Sequence, residues 1–180
     1  MLTLARALEA LDAVLNVKPS AMALTWNTPL QFDSTLIPKM IAGFDSLDAR
    51  IQGLIGRIES DPQIAAREIG NCAADLHQLR HTEALRMYPL ISHGLTADPV
   101  ARRLFWQSRL VMLGLARRIF RRFDELARII NNGTATAAAI EHVTKALTEY
   151  RHRNEAEIYP LYSLAGKKSS ARTRSVARAG

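Results

Sequence analysis

One eleven-residue phrase occurs twice in this chain, and it constrains the fold more than any other feature. The first copy is Arg80-His81-Thr82-Glu83-Ala84-Leu85-Arg86-Met87-Tyr88-Pro89-Leu90. The second is Arg151-His152-Arg153-Asn154-Glu155-Ala156-Glu157-Ile158-Tyr159-Pro160-Leu161. Both have Arg-His, six residues, then Tyr-Pro-Leu, and each is expected to close a long helical pattern. Two copies of one phrase predict two copies of one helix hairpin sharing a core.

The chain around the phrase supports that expectation. From Thr35 to Glu59, Met40, Phe44, Leu47, Ile51, Leu54 and Ile58 recur at three-and-four spacing, which marks a helix with one apolar face. Asp61-Pro62 supplies an N-cap and a first-turn proline for a second helix reaching about Ile91. Its stripe is Ile69, Cys72, Leu76, Leu79, Glu83, Met87 and Leu90, and Gly94 offers a stop. Asp98-Pro99 repeats the start signal for a third helix running to about Ile130, with Met112, Leu115, Ile119, Phe123 and Leu126 inward. Asn131-Asn132-Gly133 ends it. Thr134 or Thr136 caps a fourth, with Ile140, Val143, Leu147, Tyr150, Asn154, Ile158 and Leu161 on one face. No segment reads as a strand. The predicted fold is all-α, an up-down-up-down four-helix bundle over residues 35–164. Residues 1–34 are read as an N-terminal helix and a connecting segment in which Trp26, Leu30 and Phe32 either lie against the domain or form a docking strap for a partner. Residues 165–180 are read as a flexible basic tail.

Composition narrows the function. Apolar residues make up 48% of the 180, enough for a core. The single cysteine, Cys72, excludes an internal disulfide and a cysteine metal cluster, and fits a cytoplasmic location. No apolar run is long enough for a membrane span. Of the net charge of +7, five charges fall on Lys167, Lys168, Arg172, Arg174 and Arg178. Such a tail suits weak contact with nucleic acid or an anionic surface. The third helix carries eight arginines (Arg102, Arg103, Arg109, Arg117, Arg118, Arg121, Arg122 and Arg128), spread around its axis and expected to face solvent and neighbouring acids. No glycine-rich phosphate loop and no nucleophile–base–acid set is present, so no catalytic residue is assigned.

The doubled helix ending in Tyr-Pro resembles the hemerythrin-like (HHE) family over about residues 35–164. That resemblance implies a di-iron site in the bundle core. It also implies a His ten residues and a Glu six residues before each proline, with further His residues on the first and third helices. Before Pro89 those positions hold Leu79 and Glu83; before Pro160 they hold Tyr150 and Asn154. Glu155, one residue on, matches a variant of the pattern. The expected His of the first helix aligns with Phe44 and that of the third with Met112. The His ligand set is therefore absent at all four positions, and no cofactor is assigned; iron is the alternative.

The remaining histidines do not rebuild a core site. His77 and His81 are four apart, a metal-ligand spacing. His81, however, stands about 200° round the helix from Leu79, and His152 bears the same relation to Tyr150. With Leu79 and Tyr150 inward, both Arg-His pairs face outward. Glu83 on the apolar stripe must be paired or protonated. Two readings follow. In one, Tyr150 and Asn154 satisfy it as a polar plug. In the other, Glu83, Glu155 and Glu157 form an open carboxylate site for a hard cation or small ligand. The corresponding functions are a non-catalytic regulatory or interaction module with a protein partner, and an iron-binding sensor or storage protein for oxygen, nitric oxide or iron.

Overall fold

Each helix start and stop in this computed structural model has a local chemical cause. It describes residues 31–58, 60–134 and 137–167. The expected N-terminal helix, Trp26, Leu30, the Thr136 cap and the basic tail beyond Lys167 lie outside the described residues.

Helix α1, Leu36–Gln52, buries Leu36, Met40, Phe44, Leu47 and Ile51. The sequence predicts this helix to Glu59. Instead, after Gln52 three-residue hydrogen bonds, Leu54 N to Ile51 O, Ile55 N to Gln52 O and Arg57 N to Leu54 O, mix with four-residue ones such as Ile58 N to Leu54 O. Gly53 and Gly56 are poor helix formers, and the chain tightens there while still burying Leu54. Helix α2, Pro62–Thr82, starts as expected: the Asp61 carboxylate accepts from Ile64 N at 3.0 Å. A π-turn, Glu83–Met87, leads straight into α3, Tyr88–Gly94. Helix α4, Pro99–Asn131, is capped by Asp98, which accepts from Ala101 N at 2.9 Å. It ends in a Schellman turn: Gly133 has φ +68°, its N–H meets Ile130 O, and Thr134 N–H meets Ile129 O. Helix α5, Ala137–Arg153, passes through a second π-turn, Asn154–Ile158, into α6, residues 159–167.

The described residues are helical, with no strand among them. The described residues from Phe32 onward form one compact unit. Four long rods pack in a ring: α1 touches α2 and α5, and α4 touches α2 and α5. Phe32 stacks on Tyr162 at 5.1 Å, and Asp33 N–H donates to the Tyr162 hydroxyl at 3.0 Å, so both residues belong to this unit.

One expectation about stops needs correction. Tyr-Pro-Leu closes neither helix, because the backbone continues through both prolines. The helix does end at Gly94, as expected, though without a left-handed residue there, since Gly133 is the one positive-φ residue among those described. Gly94 is small for packing: a Cβ there would meet Ala165 Cβ at 2.8 Å. The second π-turn also shifts the buried face by one residue, so Tyr162 is buried where the pattern predicts Leu161.

Replacing Asp98 by Ala removes the cap of the longest helix. Urea unfolding should show a loss of about 1 kcal/mol. A loss within error of zero would mean the cap contributes nothing.

Candidate functional site

The two copies of the phrase meet at their π-turns, and proline is the reason the turns exist. A proline inside a helix lacks an N–H, and its ring collides with the carbonyl four residues back. Widening the turn relieves that collision. Accordingly, Tyr88 N–H reaches back five residues to Glu83 O, and Tyr159 N–H reaches Asn154 O. Glu83 and Asn154 hold the same place in the two copies, the first residue of each π-turn.

Those two residues bond to each other across the core. Asn154 Nδ2 donates to Glu83 Oε1 at 2.7 Å. The Tyr150 hydroxyl donates to Glu83 Oε2 at 2.5 Å, and the Tyr88 hydroxyl lies 3.4 Å from the same oxygen. Glu83, Tyr150 and Asn154 are all buried, at 1%, 0% and 0% exposure. Burial is the largest influence on Glu83 and pushes its carboxyl up to about 7, against the lowering effects of Tyr150, Arg80, Asn154 and Tyr88. Burial beside Glu83 raises the Tyr150 and Tyr88 hydroxyls, so both stay protonated donors.

Arg80 is the residue that sequence reasoning misses. The pattern faces the Arg-His pairs outward, yet Arg80 is only 7% exposed and Leu79 is the half-buried neighbour, packed on Gly43. The buried face of α2 runs Ala65, Ile69, Cys72, Ala73, Leu76, Arg80. Continuing that drift by four from Leu76 would have pointed to Arg80. Its charge is opposed by burial and favoured by Tyr150, Glu83 and Tyr88. Nε and Nη1 of Arg80, Oδ1 of Asn154 and the Tyr159 hydroxyl are buried without hydrogen bonds. Arg109 of α4 lies over the rings of Trp106 and Tyr88, at 4.6 and 5.5 Å.

The other predicted residues separate into two groups. Phe44 and Met112 are buried, and Phe44 lies 5.8 Å from the Tyr150 ring. Glu155 is not brought to Glu83. It is exposed and paired with Arg151 at 2.8 Å, while Arg151 also reaches Asp45. Glu157 pairs with Arg153 at 3.3 Å. The three-carboxylate arrangement is therefore not formed. His81 and His152 are exposed as expected; His77 is half-buried, 6.4 Å from Phe120, and burial depresses its basicity. Among the described residues no three His, Cys, Asp or Glu side chains converge.

The chemistry available here is proton binding by one buried carboxyl. Folding raises the Glu83 pKa, so the folded chain binds this proton more tightly than the unfolded chain. Stability from this group is complete below about pH 4.5 and is lost as pH rises through about 7. The loss is on the order of 3 kcal/mol. Glu83→Gln should flatten that slope. An amide keeps the Tyr150 bond, and a turned Asn154 can offer its free Oδ1. Urea titrations at pH 5 and 8 check this; equal slopes in both proteins would contradict it. Glu83→Ala should instead cost about 2 kcal/mol or more at either pH, because Tyr150 and Asn154 lose their acceptor.

No protein-family model matches this sequence, and no curated protein or solved structure shows a significant similarity to it.

Proposed function

We propose that the chain is a hemerythrin-like four-helix bundle that has exchanged its di-iron centre for a polar plug, and that it works as a non-catalytic regulatory or interaction module. The observation that carries this reading is the Glu83 clamp. Both oxygens of Glu83, the one buried carboxyl among the described residues, already accept hydrogen bonds, from Tyr150 and Asn154. The buried guanidinium of Arg80 lies in the same electrostatic neighbourhood and opposes a second cation.

The donor set points the same way. Phe44, Leu79 and Met112 stand where the family resemblance implies imidazoles; Phe and Leu carry no lone pair, and a thioether is a soft donor unsuited to ferric iron. Tyr150, at the fourth position, spends its hydroxyl on Glu83. These residues do not fit a di-iron group.

The iron-sensor or storage reading would need Glu83 released from Tyr150 and Asn154, and Glu155 released from Arg151. Metal analysis of protein expressed in iron-rich medium and then loaded anaerobically with ferrous ion tests the choice. The polar-plug account predicts less than about one iron per ten chains, unchanged by Glu83→Gln. Two tightly held irons per chain, lost in Glu83→Gln, would establish the sensor reading instead.

A further inference from the structure

Arg80 brings a full positive charge into the core, and two of its donors are left over. The residue is 7% exposed, and a guanidinium keeps its proton at any ordinary pH. Leu76 and Ala84, four residues to either side, are buried as well. A charge in such surroundings is tolerated when it is paired and hydrogen-bonded. Yet Nε and Nη1 of Arg80 meet no acceptor.

The groups around Arg80 do not supply the missing anion. Glu83 is the acid that acts on it, but the two Glu83 oxygens take hydrogen bonds from Asn154 and Tyr150 rather than from the guanidinium. Earlier on α2, Glu68 and Asp75 both pair with Arg50. Tyr150 and Tyr88 favour the Arg80 charge, but burial keeps both hydroxyls protonated and therefore neutral. Arg109 of α4 lies in the field of Arg80 and is engaged by the rings of Trp106 and Tyr88. His77, on α2, has its basicity lowered by burial and by Arg80. On α1, Phe44 packs on the Tyr150 ring and Asp45 pairs with Arg151.

The leftover atoms of this core differ in what they require. Asn154 Oδ1 is an acceptor and the Tyr159 hydroxyl a donor, a combination that water satisfies. Arg80 offers donors alone, with a charge that water does not neutralise. Charge-assisted hydrogen bonds to an anion meet both needs. We propose that the Arg80 guanidinium holds a small monovalent anion inside the bundle, of the class of chloride, nitrate or formate, as its counter-ion.

Anion and proton are then linked. A bound anion disfavours a second negative charge at Glu83, so the anion binds most tightly while Glu83 is protonated. When Glu83 ionises, its carboxylate serves Arg80 in place of the anion. By reciprocity, the bound anion makes Glu83 harder to ionise. This inference rests on the polar-plug reading and fails separately from it. Iron in the core would overturn the plug, whereas a plug that binds no anion would titrate at the same midpoint in every salt.

Chloride is the probe, with gluconate as a bulky control anion at equal ionic strength, on the full-length chain. Followed by carbon-13 NMR, the Glu83 carboxyl should titrate about half a pH unit or more higher in chloride than in gluconate. Chloride-35 line broadening should be pronounced at pH 5 and much smaller at pH 8. Glu83→Gln should keep the broadening at both pH values, because an amide does not ionise. Arg80→Met, similar in length and uncharged, should abolish both the broadening and the difference in midpoint. Circular dichroism checks that it folds, and if it does not, the wild-type midpoints and Glu83→Gln decide the matter. Equal midpoints in the two salts would overturn the proposal and leave Arg80 to water. Broadening retained in folded Arg80→Met, or alike at pH 5 and 8 in the wild type, would overturn it by assigning chloride to the surface.

Discussion

A carboxyl at the centre of an apolar bundle is tolerated only when donors meet it, and that requirement organises this structure. Glu83 is met by Tyr150 from α5 and Asn154 from the second π-turn, so one residue on the second rod ties down the fourth. Removing either partner strands a buried acceptor, a larger loss than the hydrogen bond itself contributes. The arrangement is also specific. Glu83 and Asn154 each open a π-turn, so their hydrogen bond joins the two turns across the core. Proline supplies the local reason for each turn, and the buried hydrogen bond supplies the long-range one. Local and global preferences agree, as expected of a sequence that specifies one structure.

The same requirement explains why the site behaves as a structural element with a proton, rather than as an open ligand site. Glu155 and Glu157, which chain position alone places near Glu83, are drawn outward by Arg151 and Arg153 at i, i−4 on the same helical stretch. These pairs are exposed and individually weak. They nevertheless sit on the solvent side, where a charge costs little, so the carboxylates stay out of the core. Arg80 takes the opposite course: its buried guanidinium adds positive charge beside a carboxyl that titrates near neutrality.

Much of the helical architecture was legible in the sequence. Asp61-Pro62 and Asp98-Pro99 begin helices because capping is local chemistry, and Gly133 ends one because a left-handed residue favours glycine. The Glu83–Tyr150–Asn154 contact was also legible, since three polar residues on facing apolar stripes must satisfy one another. Three features were not. The end of α1 at Gln52 depends on two glycines whose cost outweighs an intact apolar stripe. The passage of both helices through Pro89 and Pro160 depends on π-turns, which a fixed 3.6-residue period cannot represent. The burial of Arg80 depends on drift of the α2 face toward α5, which a stripe drawn through Leu79 conceals.

The central claim is that Glu83 is a protonatable plug held by hydrogen bonds. A carbon-13 NMR titration of the glutamate carboxyls, with Glu83 assigned by its loss in Glu83→Gln, tests this most directly. The account predicts one glutamate titrating near pH 7 whose midpoint and line width are unchanged by stoichiometric ferrous ion. A Glu83 carboxyl already ionised at pH 5, or one broadened by one or two equivalents of iron, would contradict it.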